Sequence, residues 1–178
     1  MQDWKEQAKK NGIQIIDKGK CQLCGAGTLN GLVECVEKSG IISHKLDHID
    51  GVSNMTIFKC VDSHALQHSE IHGRWNNHFH LSRLNLILQK NIKWNYKYST
   101  ILSNVLDEYK SENSDEEIKS PKIKKRGVLT ISDIEDVESE NLYIKLVNEW
   151  AKNVYESYVE GHNIAEKISK LFINRINI

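Results

Sequence analysis

Apolar positions recur at helical spacing along most of the chain. Residues 79–90, FHLSRLNLILQK, place Leu81, Leu84, Ile87 and Leu88 three or four residues apart, and Ile101, Val105 and Leu106 continue the rhythm over 98–109. The last segment, LYIKLVNEWAKNVYESYVEGHNIAEKISKLF, carries one stripe of Val147, Trp150, Ala151, Val154 and Tyr158. An unbroken helix would bring His162 to that same side, whereas Gly161 is a place for the helix to end. Asp3–Lys10 reads as a short first helix. A further helix is predicted to begin near Val61 and to carry VDSHALQH, with His64, His68 and His72 at intervals of four. The apolar edge made by Val61 and Ala65 puts His68 toward the core and leaves His64 more exposed. By the same reasoning His80, on the stripe of Leu84 and Ile87, is buried, and His78 points elsewhere.

The pattern changes twice. Residues 1–60 are rich in Gly, Cys and short apolar pairs, and form an N-terminal helix plus a cysteine-bearing knuckle. Residues 110–127, KSENSDEEIKSPKIKKRG, combine an acidic block, the only proline and a basic block, and read as a charged, solvated linker or loop. Between them, 61–109 are central helices carrying His68 and His80; after them, 128–178 are C-terminal helices. Thr130 followed by Asp133 fits a capping box. The expected fold is mainly α, a compact helical domain with a small N-terminal zinc-knuckle-like Cys segment, in all one folded domain.

Composition narrows the partners. Of 178 residues 39% are hydrophobic and 27% charged, and Lys plus Arg equals Asp plus Glu at 24 each. That balance gives no electrostatic reason to expect nucleic acid or an anionic membrane. No apolar run approaches a membrane span of about 20 residues, and the N-terminus lacks a signal-peptide core. The expected location is cytoplasmic, where cysteines serve as metal ligands or buried thiols more often than as disulfides.

CQLC, residues 21–24, is the strongest local signal for chemistry. Two thiolates with two residues between them grip one tetrahedral ion from a tight turn, with Gly25 supplying backbone freedom. A redox pair would need a strand before it and a helix directly after, and GAGTLNGL fits neither. Zinc is therefore favoured as the cofactor. Cys21 and Cys24 need further ligands, and the candidates are His68 with either His80 or Cys35. Asp62, close by on the helix, is placed to orient a ligand.

A partial match to another pattern supplies an alternative. CQLCGA, HKLDHIDGVSN and CVDSHALQH together resemble the zinc-finger type of HNH endonuclease, which implies His48 as catalytic base. Cys60 is followed by VDSH where that family has a second CxxC or CxxCH. The balanced charge also argues against a phosphate-binding nuclease.

Several blocks occur in order over nearly the whole chain: CQLCGA, Cys35 in a short helix, VDSHALQHS, HLSRL at 80–84, LTISDIEDV, and WAKNVYESYVEGH at 150–162. In this order they resemble the bacterial family called domain of unknown function 5946. The resemblance implies shared positions at Cys21, Cys24, Cys35, Asp62, His68, His80 and His162, and it implies no activity. His64, Ser69, Tyr155, Tyr158 and Asn163 depart from the family pattern, as does the neighbourhood of Ile57.

Four functions are compatible with these features. A zinc-binding helical protein with a structural ion accounts for most of the features. A metal-dependent hydrolase would keep one zinc position open for water and use Asp62 or His162 as base. The other two are the HNH-like nuclease and a protein-interaction module in a bacterial defence, toxin or phage context.

Overall fold

The computed structural model describes residues 4–47, 54–113 and 117–176, with 43–47 and 124 described by backbone alone. Among them are seven α-helices: α1 (Trp4–Lys10), α2 (Gly31–Asp47), α3 (Asn54–Gln67), α4 (Arg74–Leu88), α5 (Tyr96–Glu112), α6 (Glu140–Ser157) and α7 (His162–Ile176). No strand occurs among the described residues; Gly19 and Asn30 form one isolated parallel bridge. None of these helices is long and apolar enough to cross a membrane.

The C-terminal stripe behaves as its periodicity predicts. Val147, Trp150, Ala151 and Val154 are fully buried, and α6 lies against α3 and α4. The Tyr158 hydroxyl donates to the Leu66 carbonyl at 2.5 Å, tying the end of α6 to α3. The long helix breaks after Ser157, and a 3-10 turn over Val159–Gly161 leads into α7. Gly161 faces Leu81, where a larger residue would collide. A second apolar cluster joins α4, α5 and α7 through Leu86, Trp94, Leu102, Val105, Ile168 and Phe172.

α4 packs against α3, α5, α6 and α7. This central position overturns the expected order of its histidines. His78 is fully buried beside Trp75, while His80 keeps 16% of its side chain exposed. Periodicity assigns one inner face to a helix, and a helix surrounded by four others has several.

The charged segment after α5 is less solvated than its composition suggests. Ile118 and Arg126 are buried, and Arg126 binds the Gln67 carbonyl and pairs with Glu70. The capping box forms with a twist: Asp133 accepts from both the backbone N–H and the hydroxyl of Thr130, at 2.7 and 2.9 Å. It opens a 3-10 turn that buries Ile131, with Ile134 just after it.

The start of α2 is pinned to the segment before the knuckle. Leu32 N–H donates to Ile16, and Gly31 N–H to Gly19, at 3.1 and 3.0 Å. Glu34 accepts from the backbone N–H groups of Leu29 and Asn30, both at 2.8 Å, which satisfies donors at the helix entrance. Gly31 has φ +58, and a Cβ there would run into the Ile16 carbonyl. Gly31→Ala is expected to destabilise the protein by about 1–3 kcal/mol, since left-handed backbone and crowding act together. Gly40→Ala, on the same helix with open space around it, is expected to gain about 0.5–1 kcal/mol. Thermal denaturation of the two variants checks the contrast; equal effects would contradict the pinning.

Candidate metal centre

Cys21 and Cys24 sit in a tight turn. Gly25 N–H donates to Cys21 O and Cys21 N–H to Ala26 O, at 2.9 and 3.0 Å, and Gly25 adopts φ +80. Cys35 lies one turn into α2, fully buried beside Leu32. His68 follows the last residue of α3 and is fully buried. These three elements bring four ligand atoms within 4.8 Å of one another: the sulfurs of Cys21, Cys24 and Cys35 and a ring nitrogen of His68.

The spacing matches one tetrahedral ion. With metal–sulfur bonds of about 2.3 Å and metal–nitrogen bonds of about 2.0–2.1 Å, a tetrahedron has S···S edges of ~3.8 Å and S···N edges of ~3.5 Å. Cys24 and Cys35 sulfurs are 3.7 Å apart, and His68 Nε2 is 3.4 Å from both Cys21 and Cys35 sulfurs. A disulfide would need about 2.05 Å, and all four cysteines are free. His68 Nδ1 donates to the His64 carbonyl at 2.6 Å, which leaves Nε2 as the ring nitrogen that faces the sulfurs. The residues present therefore fit an ion site of three cysteines and one histidine.

The electrostatics without an ion show the same convergence. Hydrogen bonds from Cys24 and Cys35 hold the Cys21 thiol well below its usual range, against the effect of burial. Those to Cys21 and Cys24 push the Cys35 thiol well above it. Burial disfavours charge on His68, but its contacts with Cys21 and Cys24 outweigh this and raise it to about 9. Cys60 lies outside the cluster, where burial pushes its thiol up to about 12.

The other candidate residues lie elsewhere. His80 stands apart from the sulfurs, and its Nδ1 donates to Asp62 at 2.7 Å. Asp62 is fully buried and also accepts from Arg83 Nε at 2.8 Å and Nη2 at 2.5 Å. The Arg83 guanidinium lies 4.3 Å over Phe58 and 4.9 Å over Phe79. Asp62 thus orients His80, while a backbone carbonyl orients His68. His162 is stacked on Tyr155, and its Nε2 donates to the Tyr155 carbonyl at 2.8 Å. His48 lies outside the described residues.

His64 is buried where the apolar pattern leaves it exposed: it is 6% exposed, its ring stacks on His68 with centroids 4.0 Å apart, and its Nε2 is 3.7 Å from the Cys35 sulfur. The helix begins at Asn54 rather than near Val61, and α2 covers the face that the apolar pattern leaves open. Burial, then the neighbouring His68 and His72, hold His64 well below the usual imidazole range. Arg83 also went unnoticed in the sequence, although a charge set among Leu81, Leu84 and Leu86 signals a buried counter-ion.

A family model described as "Family of unknown function (DUF5946)" matches residues 19–159, and the chain belongs to that family. No curated protein and no solved structure matches it.

Arg83→Met leaves the Asp62 carboxylate buried without its main counter-charge, and is expected to destabilise by about 3–5 kcal/mol. Adding Asp62→Leu to that variant should recover much of the loss, because the unpaired charge is gone. Urea denaturation of wild type and both variants checks this; a double variant no better than the single one would refute the assignment.

Proposed function

We propose that this member of the family is a zinc protein. Its ion is held by the sulfurs of Cys21, Cys24 and Cys35 and by His68 Nε2, and chiefly stabilises the fold. The observation that carries this reading is the set of four donors at tetrahedral spacing, three of them buried and Cys24 half-buried. Tetrahedral thiolate-rich sites select zinc or iron–sulfur clusters, and three sulfurs with one nitrogen around a single centre suit zinc.

A structural role follows from the count. Four protein ligands complete the coordination and leave no position for water. The ion would join the knuckle and α2 to the end of α3, 33 residues beyond Cys35. A thiol–disulfide oxidoreductase is disfavoured, because CQLC lies in a turn and the next helix starts only at Gly31. Asp62 and His162, the candidate bases for a hydrolase, have their hydrogen bonds directed away from this centre.

Protein purified without added metal is expected to contain about one zinc per chain by elemental analysis. Cys35→Ser or His68→Ala should lower metal content and remove about 3–5 kcal/mol, roughly 6–20 °C in Tm at about 2–4 °C per kcal/mol. Metal content near zero, with Cys21→Ser melting like wild type, would sink the reading. Apparent zinc affinity should rise with pH, since His68, raised to about 9, and the Cys35 thiol, raised well above its usual range, must both give up a proton to ligate; competition with a chelator at several pH values measures it.

A further inference from the structure

Beside the cluster of three cysteines and His68 lies a cavity of about 370 Å³ between α1, α2, α3 and the start of α4. Trp4, Val36 and Ile71 form apolar wall, and His64, His72 and His80 bring three imidazoles to it. His64 stands between the cavity and the sulfurs, within reach of Cys35. The His72 and His80 ring centroids lie 6.0 Å apart, with the ring planes tilted by 60°.

We infer that this cavity holds a second, open divalent transition-metal site, with His72 and His80 as its protein ligands and water in the remaining positions. His80 carries the argument. Its Nδ1 donates a hydrogen bond to the fully buried Asp62, so Nε2, on a ring that lines the cavity, is the nitrogen left to bind an ion. A carboxylate behind a histidine is the arrangement that fixes the tautomer and raises the basicity of a metal-binding imidazole. Asp62 is itself immobilised by Arg83, whose Nε and Nη2 donate to it at 2.8 and 2.5 Å. His72 has no hydrogen bond on its ring among the described residues, so its nitrogens are uncommitted.

Distance allows one shared ion. Two imidazoles on a tetrahedral ion have centroids about 5 Å apart, given metal–nitrogen bonds of about 2.0–2.1 Å. The observed 6.0 Å is longer, so His72 would move toward His80, which Asp62 holds in place. Imidazole nitrogens select borderline cations such as Zn²⁺, Co²⁺ and Ni²⁺ over Mg²⁺ or Ca²⁺. With only two protein ligands the ion would keep bound water facing the cavity, unlike the closed centre next to it.

Titration of the full-length metal-free protein with Co²⁺ separates the two sites. The cysteine-rich centre gives an intense sulfur-to-cobalt charge-transfer band, and a site of histidine and water gives none. Wild type is expected to take up a second equivalent that adds nothing to that band. His72→Ala and His80→Ala should each weaken the second equivalent at least about 10-fold and leave the band intact. His162→Ala, whose ring is bonded to Tyr155, should change neither. Circular dichroism reports folding, and His72→Ala decides the matter if His80→Ala fails to fold. Saturation of wild type at one equivalent would overturn the second site, as would a second equivalent unaffected by the folded histidine variants. A missing charge-transfer band with the second equivalent intact would instead remove the zinc-centre reading alone.

Discussion

Three thiols and an imidazole brought within 4.8 Å of one another are able to hold one metal ion. Sulfur makes weak hydrogen bonds, and four such groups cannot satisfy one another fully. Here they are held at the edge lengths of a tetrahedron, one of them aimed by a backbone carbonyl. The surrounding structure serves this convergence. The knuckle turns about Gly25, α2 starts from Gly31 pressed against the Ile16 carbonyl, and α3 ends where His68 is required. Each element alone presents one or two donors, and the proposed zinc ion would make the set cohere.

α3 carries a second polar arrangement on a different side. Asp62 pairs with Arg83 and His80 of α4, while His68 meets the cysteines of the knuckle and α2. Both are buried clusters of charges or donors, and both are directional where the apolar contacts among α3, α4 and α6 are not. Apolar packing tolerates sliding more readily than directed bonds do. Together the two clusters fix the rotation of α3 between its neighbours. His64 and the histidine-lined cavity lie between them.

The helical character of the chain was legible because period 3.6 repeats over long segments. The Val147–Val154 stripe is buried as its spacing predicts. The cysteine pair was legible because two thiols in a turn form a local unit. His68 was legible as a buried residue, since Val61 and Ala65 mark the adjoining edge of its helix. Asp62 was expected to orient a ligand, and it orients His80 rather than His68. The reversal at His78 and His80 has a simple source: α4 is buried on several sides, and an apolar stripe names only one.

Sequence by itself determined what depends on near neighbours: the helices, the capping box at Thr130, the knuckle at Cys21 and Cys24, and the inward turn of His68. Tertiary structure decided which side chains meet. Cys35 rather than His80 joins the cluster, and His64 is buried under α2 rather than open to solvent. Cys35 and His68 are 33 residues apart. Their meeting depends on the angle at which α2 crosses α3, which the Gly31 contact and the pooled packing of several helices set together. Local periodicity fixes the face a residue occupies on its own helix, but carries no record of which other helix will cover it.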